Sequence, residues 1–131
     1  MSFETLSVIG LGYIGLPTAA VFASRKKKVI GVDVNKHAVE TINKGKIHIV
    51  EPDLDMLVHA AVSEGYLKAV LQPEAADAFL VAVPSPFIVD EEKKTCTADL
   101  RYIEAAGKAI APVLQKGNLV VLESTVPVGA T

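Results

Sequence analysis

Eight residues near the start of the chain, Gly10-Leu11-Gly12-Tyr13-Ile14-Gly15-Leu16-Pro17, hold three glycines and a proline. These are the residues least suited to a helix interior. Yet they follow an apolar run (6–9) and lead into TAAVFASRKKK, which reads as a helix. One glycine can make a tight turn, the next can leave the backbone open to close approach, and the third can let helix and strand pack together. The helix behind them starts with N–H groups that have no partner and with the positive end of its dipole. Pro17 falls in the first turn, where a missing N–H costs little. A phosphate suits that place, and G-x-G-x-x-G between a strand and a helix is the dinucleotide fingerprint.

The rest of the chain supplies the context the fingerprint needs. Five short apolar runs recur at 6–9, 29–32, 67–71, 79–83 and 119–122, most of them rich in valine and isoleucine and without clean alternation. Strands buried on both faces of a parallel sheet read this way; the run at 67–71 is the weakest and is expected at an edge. Helical patterns lie between the runs. Ile14, Thr18, Val21 and Phe22 share one face of a first helix. Asn35 can cap a second that buries Ala38, Val39 and Ile42 and stops at Gly45. Asp53 can cap a third, with Leu54, Leu57, Val58, Ala61 and Val62 inward and Gly65 after its end. A fourth is expected over 99–115, with Leu100, Ile103, Ile110 and Leu114 inward, Pro112 kinking it late and Gly117 stopping it.

Strand alternating with helix predicts an α/β fold: a Rossmann-type doubly wound parallel sheet in three αβα layers, with strand order 3-2-1-4-5. The first and fourth strands are then neighbours and the winding reverses between them. Ligands bind in the crevice at the carboxyl ends of strands beside such a switch point. Three loops are expected to converge there: 10–15, 84–87 and 124–129. The second strand ends in Asp33, close to the spacing of about 20 residues at which an acid receives the adenosine ribose hydroxyls. A carboxylate there repels a 2′-phosphate, so NAD is favoured over NADP, with nearby Lys36 weakening that preference. Ser85, in a Pro-Ser-Pro turn, can meet the nicotinamide half. Ser124 and Thr125 end the fifth strand with two more hydroxyls.

Composition narrows the alternatives. At 131 residues the chain is read as one domain, 1–131, and a net charge of −2 offers no field for nucleic acid or an anionic membrane. A single cysteine excludes an internal disulfide and a multi-thiolate metal site. His37, His48 and His59 have no metal-ligand spacing, so no metal is expected. The apolar segment 8–23 lacks the positive flank of a signal peptide and is too glycine-rich for a membrane span, which predicts a cytoplasmic protein. The cations at 25–28 suit a helix C-terminus. The stretch 90–94, Asp-Glu-Glu-Lys-Lys, reads as a solvated loop, with Cys96 in the same polar loop and no histidine near it in sequence.

Taken together, VIGLGYIGLPTAA, GVDVNKHAVETINKG, IHIVEPDL, VAVPSPF and ESTVPVG, in that order, resemble the N-terminal domain of the UDP-glucose/GDP-mannose dehydrogenase family over essentially the whole chain. The resemblance implies an enzyme that oxidises the C6 alcohol of a nucleotide sugar to a carboxylate with two NAD, and a homodimer when full length. It implies cofactor contacts from Gly10, Gly12, Tyr13, Ile14, Gly15, Asp33, Ser85 and Thr125, with Thr125 beside nicotinamide in a supporting catalytic role. Ser85 stands where many relatives have threonine, and Ala38 where some have a basic residue. The family's cysteine nucleophile, its lysine and asparagine partners, the sugar-binding domain and the dimer helix are all expected beyond Thr131. The chain is accordingly expected to bind NAD without turnover. Two other readings share the glycine motif: a stand-alone NAD-sensing module, and another Rossmann dehydrogenase. A sensor needs no hydroxyls in the second and third loops, and another Rossmann dehydrogenase explains those loops less well.

Overall fold

A computed structural model describes residues 3–83, 87–90, 92, 95–98 and 100–123, with only the backbone described at 87–90 and 95–98. Five parallel strands form the main sheet: β1 (Thr5–Ile9), β2 (Lys28–Val32), β3 (Leu67–Val70), β4 (Ala78–Val81) and β7 (Leu119–Leu122). Their order is β3-β2-β1-β4-β7, which is 3-2-1-4-5 among the parallel strands, and the weak third run is an edge as expected. Helices α1 (Gly15–Ser24), α2 (Lys36–Asn43) and α3 (Leu54–Ser63) cover one face, and α4 (Arg101–Ile110) covers the other. Alternate residues of β1 separate the two cores. Val8 packs with Leu11, Leu16, Ile42 and Val58 on the three-helix side. Ile9 packs with Ile30, Phe79 and Ile110 on the α4 side. The β3–β4 connection, 71–77, contains no helix.

Several local expectations need correcting. Of the first-helix face with Ile14, Thr18, Val21 and Phe22, only Phe22 packs against the core, and only in part. The helix's buried residues are Gly15, Leu16, Ala19, Ala20 and Ala23, while Ile14 and Val21 are more than half exposed. A helix that starts tight against the strand it has just left needs small residues on its inner face. Asp53 does not cap α3: it sits in the left-handed region at φ 62° and makes no capping bond. Asp55 is the acid in that first turn, and Leu57 is exposed. Pro112 does not kink a long fourth helix; the α-helix stops at Ile110 and continues as a 3-10 turn, Ala111–Val113. Leu114 lies beyond both, 39% exposed rather than inward. Asn35 does cap α2, accepting from the Ala38 amide at 3.2 Å, and Ala38, Val39 and Ile42 are buried. The charged stretch after β4 is not only loop. Phe87–Asp90 (β5) and Thr95–Ala98 (β6) form an antiparallel hairpin, so Cys96 lies in a strand, opposite Val89. Ile-Val and the two threonines carry the strand propensity that the charges obscured.

The outer edge of β3 is closed by one side chain. The Asn43 amide donates to the Ala69 carbonyl at 2.9 Å, and its carbonyl accepts from the Ala69 amide at 2.8 Å. A primary amide thus stands in for a sixth strand at that point and blunts an otherwise open edge. Asn43→Ala is expected to destabilise by about 2 kcal/mol, two hydrogen bonds' worth, read as a lower urea midpoint.

The ends of α1, α2 and α3 share one geometry. In each, the residue after the C-cap donates back three residues and the next donates back five: Lys26 and Lys27, Gly45 and Lys46, Gly65 and Tyr66. The first of each pair has positive φ, and only Lys26 is not glycine (φ 64°). A side chain costs about 1 kcal/mol there. Lys26→Gly is therefore expected to raise the melting temperature by a few degrees, on the order of 1 kcal/mol for a chain of this size.

Asp77, just before β4, accepts from the Thr5 and Glu4 amides at 3.0 and 2.9 Å and so ties the start of β1 to β4. The Thr5 amide first, then the Glu4 amide, hold its carboxyl below the ordinary aspartate value of 3.8. A carboxylate with a depressed folded-state pKa favours the fold above the unfolded value. Its contribution disappears as pH falls below that value. Asp77→Asn is expected to flatten that acid limb in a pH series of melting temperatures, leaving the neutral range parallel to the parent.

Candidate functional site

The carboxyl ends of four neighbouring strands are held in register one residue past the strands themselves. Asp33 donates to Val70 (3.1 Å), Gly10 to Val32 (2.7 Å), Ala82 to Ile9 (2.7 Å) and Glu123 to Val81 (2.8 Å), all through backbone amides. Asp33, Gly10, Ala82 and Glu123 therefore stand in that order along one rim of the sheet. The winding reverses between β1 and β4, so Gly10 and Ala82 flank the switch point.

Two of the three turn glycines are demanded by the fold. A Cβ on Gly10 would lie 2.6 Å from the Ala82 carbonyl oxygen, and Gly10 has φ 96°. A Cβ on Gly15 would run into the carbonyl oxygen of Gly10. Gly12 differs. Among the described residues no atom comes within 4 Å of a Cβ placed on it, and its φ lies outside the region that favours glycine. None of the described residues requires glycine at this position.

Beside Gly12 α1 begins without protection. Ile14 at its N-cap makes no side-chain bond, and the first turn contains no acid. Leu16 donates to Gly12 at 3.1 Å, and Pro17 has no amide to offer. No residue of the helix's own first turn offsets the positive end of its dipole. Tyr13 and Ile14 stand here 61% and 59% exposed.

Asp33 is oriented by the glycine turn itself. One carboxylate oxygen accepts from the Leu11 amide at 2.9 Å and the other from the Asn35 amide at 2.9 Å. Each oxygen keeps a lone pair, and the side chain is half-buried. Val34 beside it is almost fully exposed, and Ala38 is buried, so no side chain reaches out from that position. Lys36 points along its own helix to Glu40, 3.9 Å away in an exposed pair. Such pairs contribute little.

Gly10, Gly12, Tyr13, Ile14, Gly15 and Asp33 are thus brought to one end of the sheet. Ser85, Ser124 and Thr125 lie outside the described residues, as do most of the second and third loops. Cys96 is in β6, and its side chain is not described. His37 and His59 are exposed, and the described residues contain no group of three metal-ligating side chains. Among the described residues no helix is long and apolar enough to cross a membrane. One contact escaped the sequence reading: the Thr18 hydroxyl donates to the Ile14 carbonyl at 3.0 Å and to the Glu123 carboxylate at 3.2 Å. Glu123 opens the ESTVPVG stretch, whose pattern draws attention to the hydroxyls after it, and Thr18 carries no local signal of a partner 105 residues away.

Residues 4–131 match the family described as "UDP-glucose/GDP-mannose dehydrogenase family, NAD binding domain". The chain is 72% identical over its whole length to a UDP-N-acetyl-D-mannosamine dehydrogenase of Yersinia pestis, covering 30% of that protein. It is 68% identical over its whole length to an NDP-N-acetyl-D-galactosaminuronic acid dehydrogenase of Ralstonia solanacearum, again covering 30%. The native structure of a UDP-N-acetyl-mannosamine dehydrogenase from Staphylococcus aureus matches at a TM-score of 0.85 and 41% identity, over 93% of this chain and 29% of that one. The chain thus spans less than a third of the length of these relatives.

Proposed function

Because this chain belongs to the UDP-glucose/GDP-mannose dehydrogenase family, as its NAD-binding domain, we propose that it serves a protein that oxidises the C6 alcohol of UDP-N-acetyl-D-mannosamine to the carboxylate. Two NAD are consumed per sugar, as the family resemblance implies. The observation that carries the cofactor part is Gly12, a glycine that neither its conformation nor any described residue requires, next to a helix start with no side-chain cap and no acid in its own first turn. That combination leaves backbone free to meet a pyrophosphate.

In this reading Gly10 and Gly15 build the turn and Gly12 keeps it open. The α1 N-terminus faces the pyrophosphate, and Tyr13 and Ile14 flank the cofactor. Asp33, held by Leu11 and Asn35, accepts the adenosine ribose hydroxyls and disfavours a 2′-phosphate. Ser85 and Thr125 serve the nicotinamide half. NAD supplies the hydride acceptor; this chain's residues bind it, orient it and fix which end faces the sugar. The resemblance implies that the cysteine nucleophile, the sugar-binding domain and the dimer helix lie in the length that this chain does not span. A homodimer is proposed for the full-length protein. The cytoplasm is proposed as its location, where NAD and nucleotide sugars are made, and provision of an acidic sugar for polysaccharide as its use.

Family membership argues against a stand-alone sensing module. A second substrate has a specific basis in the relative at 68% identity named for an N-acetyl-galactosaminuronic acid product. The test is NADH formation by the full-length protein from UDP-N-acetylmannosamine, UDP-N-acetylgalactosamine and UDP-glucose in parallel. Preference for the first, with two NADH per sugar, supports the proposal; preference for either other sugar replaces it. Turnover by residues 1–131 alone would contradict the division of roles.

A further inference from the structure

The Thr18–Glu123 contact joins two elements that are 105 residues apart in sequence. Thr18 lies in the first two turns of α1, and Glu123 ends β7 at the far side of the switch point. The Thr18 hydroxyl has one proton and two acceptors, its own helix carbonyl at Ile14 and the Glu123 carboxylate. The Glu123 backbone is anchored as well, to Val81. An exposed acid at a strand end is ordinarily free to point into solvent. This one is held from both sides, back toward the start of the helix.

Its position has an electrostatic consequence. A dinucleotide lies across the switch point, with its two halves over the two halves of the sheet. Asp33 at the end of β2 marks the adenosine half, so the nicotinamide half belongs over β4 and β7, whose end is Glu123. Oxidised nicotinamide carries a positive charge that the reduced ring lacks. The pyrophosphate is common to both forms, so its repulsion by a carboxylate cancels when the two are compared.

We propose that the Glu123 carboxylate, held by Thr18 at the crevice end of β7, makes the site discriminate between the oxidised and the reduced cofactor in favour of NAD over NADH. Glu123 is a specificity residue in this account, and Thr18 is a positioning residue that acts through it. The effect suits an enzyme that must take up NAD and release NADH twice per sugar. It rests on the cofactor reading above and adds a role to a residue which that reading leaves idle.

The test is calorimetric titration of the 131-residue chain with NAD and with NADH, for the parent, Glu123→Gln, Thr18→Val and Thr18→Ser, with melting temperatures alongside. Glu123→Gln is expected to lower the ratio of the NADH to the NAD dissociation constant about threefold, the size of one partly screened charge pair. The shift should shrink at high salt. Thr18→Val frees the carboxylate and moves the ratio the same way by less. Thr18→Ser keeps the hydroxyl and restores the parent ratio. An unchanged ratio in Glu123→Gln, with the melting temperature held, overturns the proposal, as does a ratio that rises. Failure of the parent to bind either form is a different result and overturns the cofactor reading itself.

Discussion

Gly15→Ala is expected to cost about 3 kcal/mol of stability and to abolish NAD binding, whereas Gly12→Ala keeps the stability and loses only the binding. The two glycines are three residues apart and look equivalent in the sequence. Their surroundings are not. A methyl on Gly15 meets the Gly10 carbonyl, which is backbone and is itself pinned by the bond from Gly10 to Val32. No rotamer change relieves that contact; the first turn of α1 must move away from the sheet. The buried residues beside it, Leu16, Ala19 and Ala20, are then unpacked as well. A methyl on Gly12 meets none of the described residues. It fills the space a pyrophosphate would use, and the expected loss is tenfold to a hundredfold in NAD affinity, about 1.4 to 2.8 kcal/mol. Thermal unfolding and calorimetric titration of the two variants separate the effects. Equal stability loss in both would show that Gly12 is structural.

Asp33→Asn is the second large effect, expected in binding and stability together. Both carboxylate oxygens accept backbone amides, from Leu11 and from Asn35. An asparagine can satisfy one of these and must turn its NH2 group toward the other. One amide loses its partner and faces another donor, at a cost of about 1–3 kcal/mol. The Leu11 amide belongs to the glycine turn, so the damage reaches the proposed pyrophosphate site as well as the proposed ribose site. Removing the negative charge also removes the repulsion of a 2′-phosphate. NAD affinity is expected to fall by at least tenfold, while NADP affinity falls less, so the ratio between them narrows. Equilibrium titration with both cofactors reads that ratio. A narrowing ratio with unchanged stability would mean that the two amide bonds matter less than the charge.

The strand order and the end of the sheet that gathers Gly10, Gly12 and Asp33 were legible in the sequence because both follow from local rules. Valine-rich runs separated by helices dictate a parallel sheet, and the glycine turn marks which end of which strand faces the ligand. Asn35 was legible as a cap because capping needs only its own neighbours. What failed depended on partners distant in sequence. Large apolar residues mark the wrong inner face of α1, because proximity to β1 and α3 favours the small face, and the larger Ile14 and Val21 are turned outward. Asp53 had the right residue type for a cap, but the chain reaches it in a left-handed conformation. The hairpin of β5 and β6 was hidden because its turn is charged and its strands are short. Asn43 closing the edge of β3, and Thr18 holding Glu123, are contacts over 26 and 105 residues that no local pattern announces.

The central claim is that the open space at Gly12 and the oriented carboxylate of Asp33 together form an NAD site that excludes NADP. Parallel calorimetric titration of the 131-residue chain with NAD and NADP tests it most directly. The account predicts saturable one-to-one binding of NAD and binding of NADP at least tenfold weaker, about 1.4 kcal/mol or more. No heat with NAD, or equal affinity for the two, would contradict it.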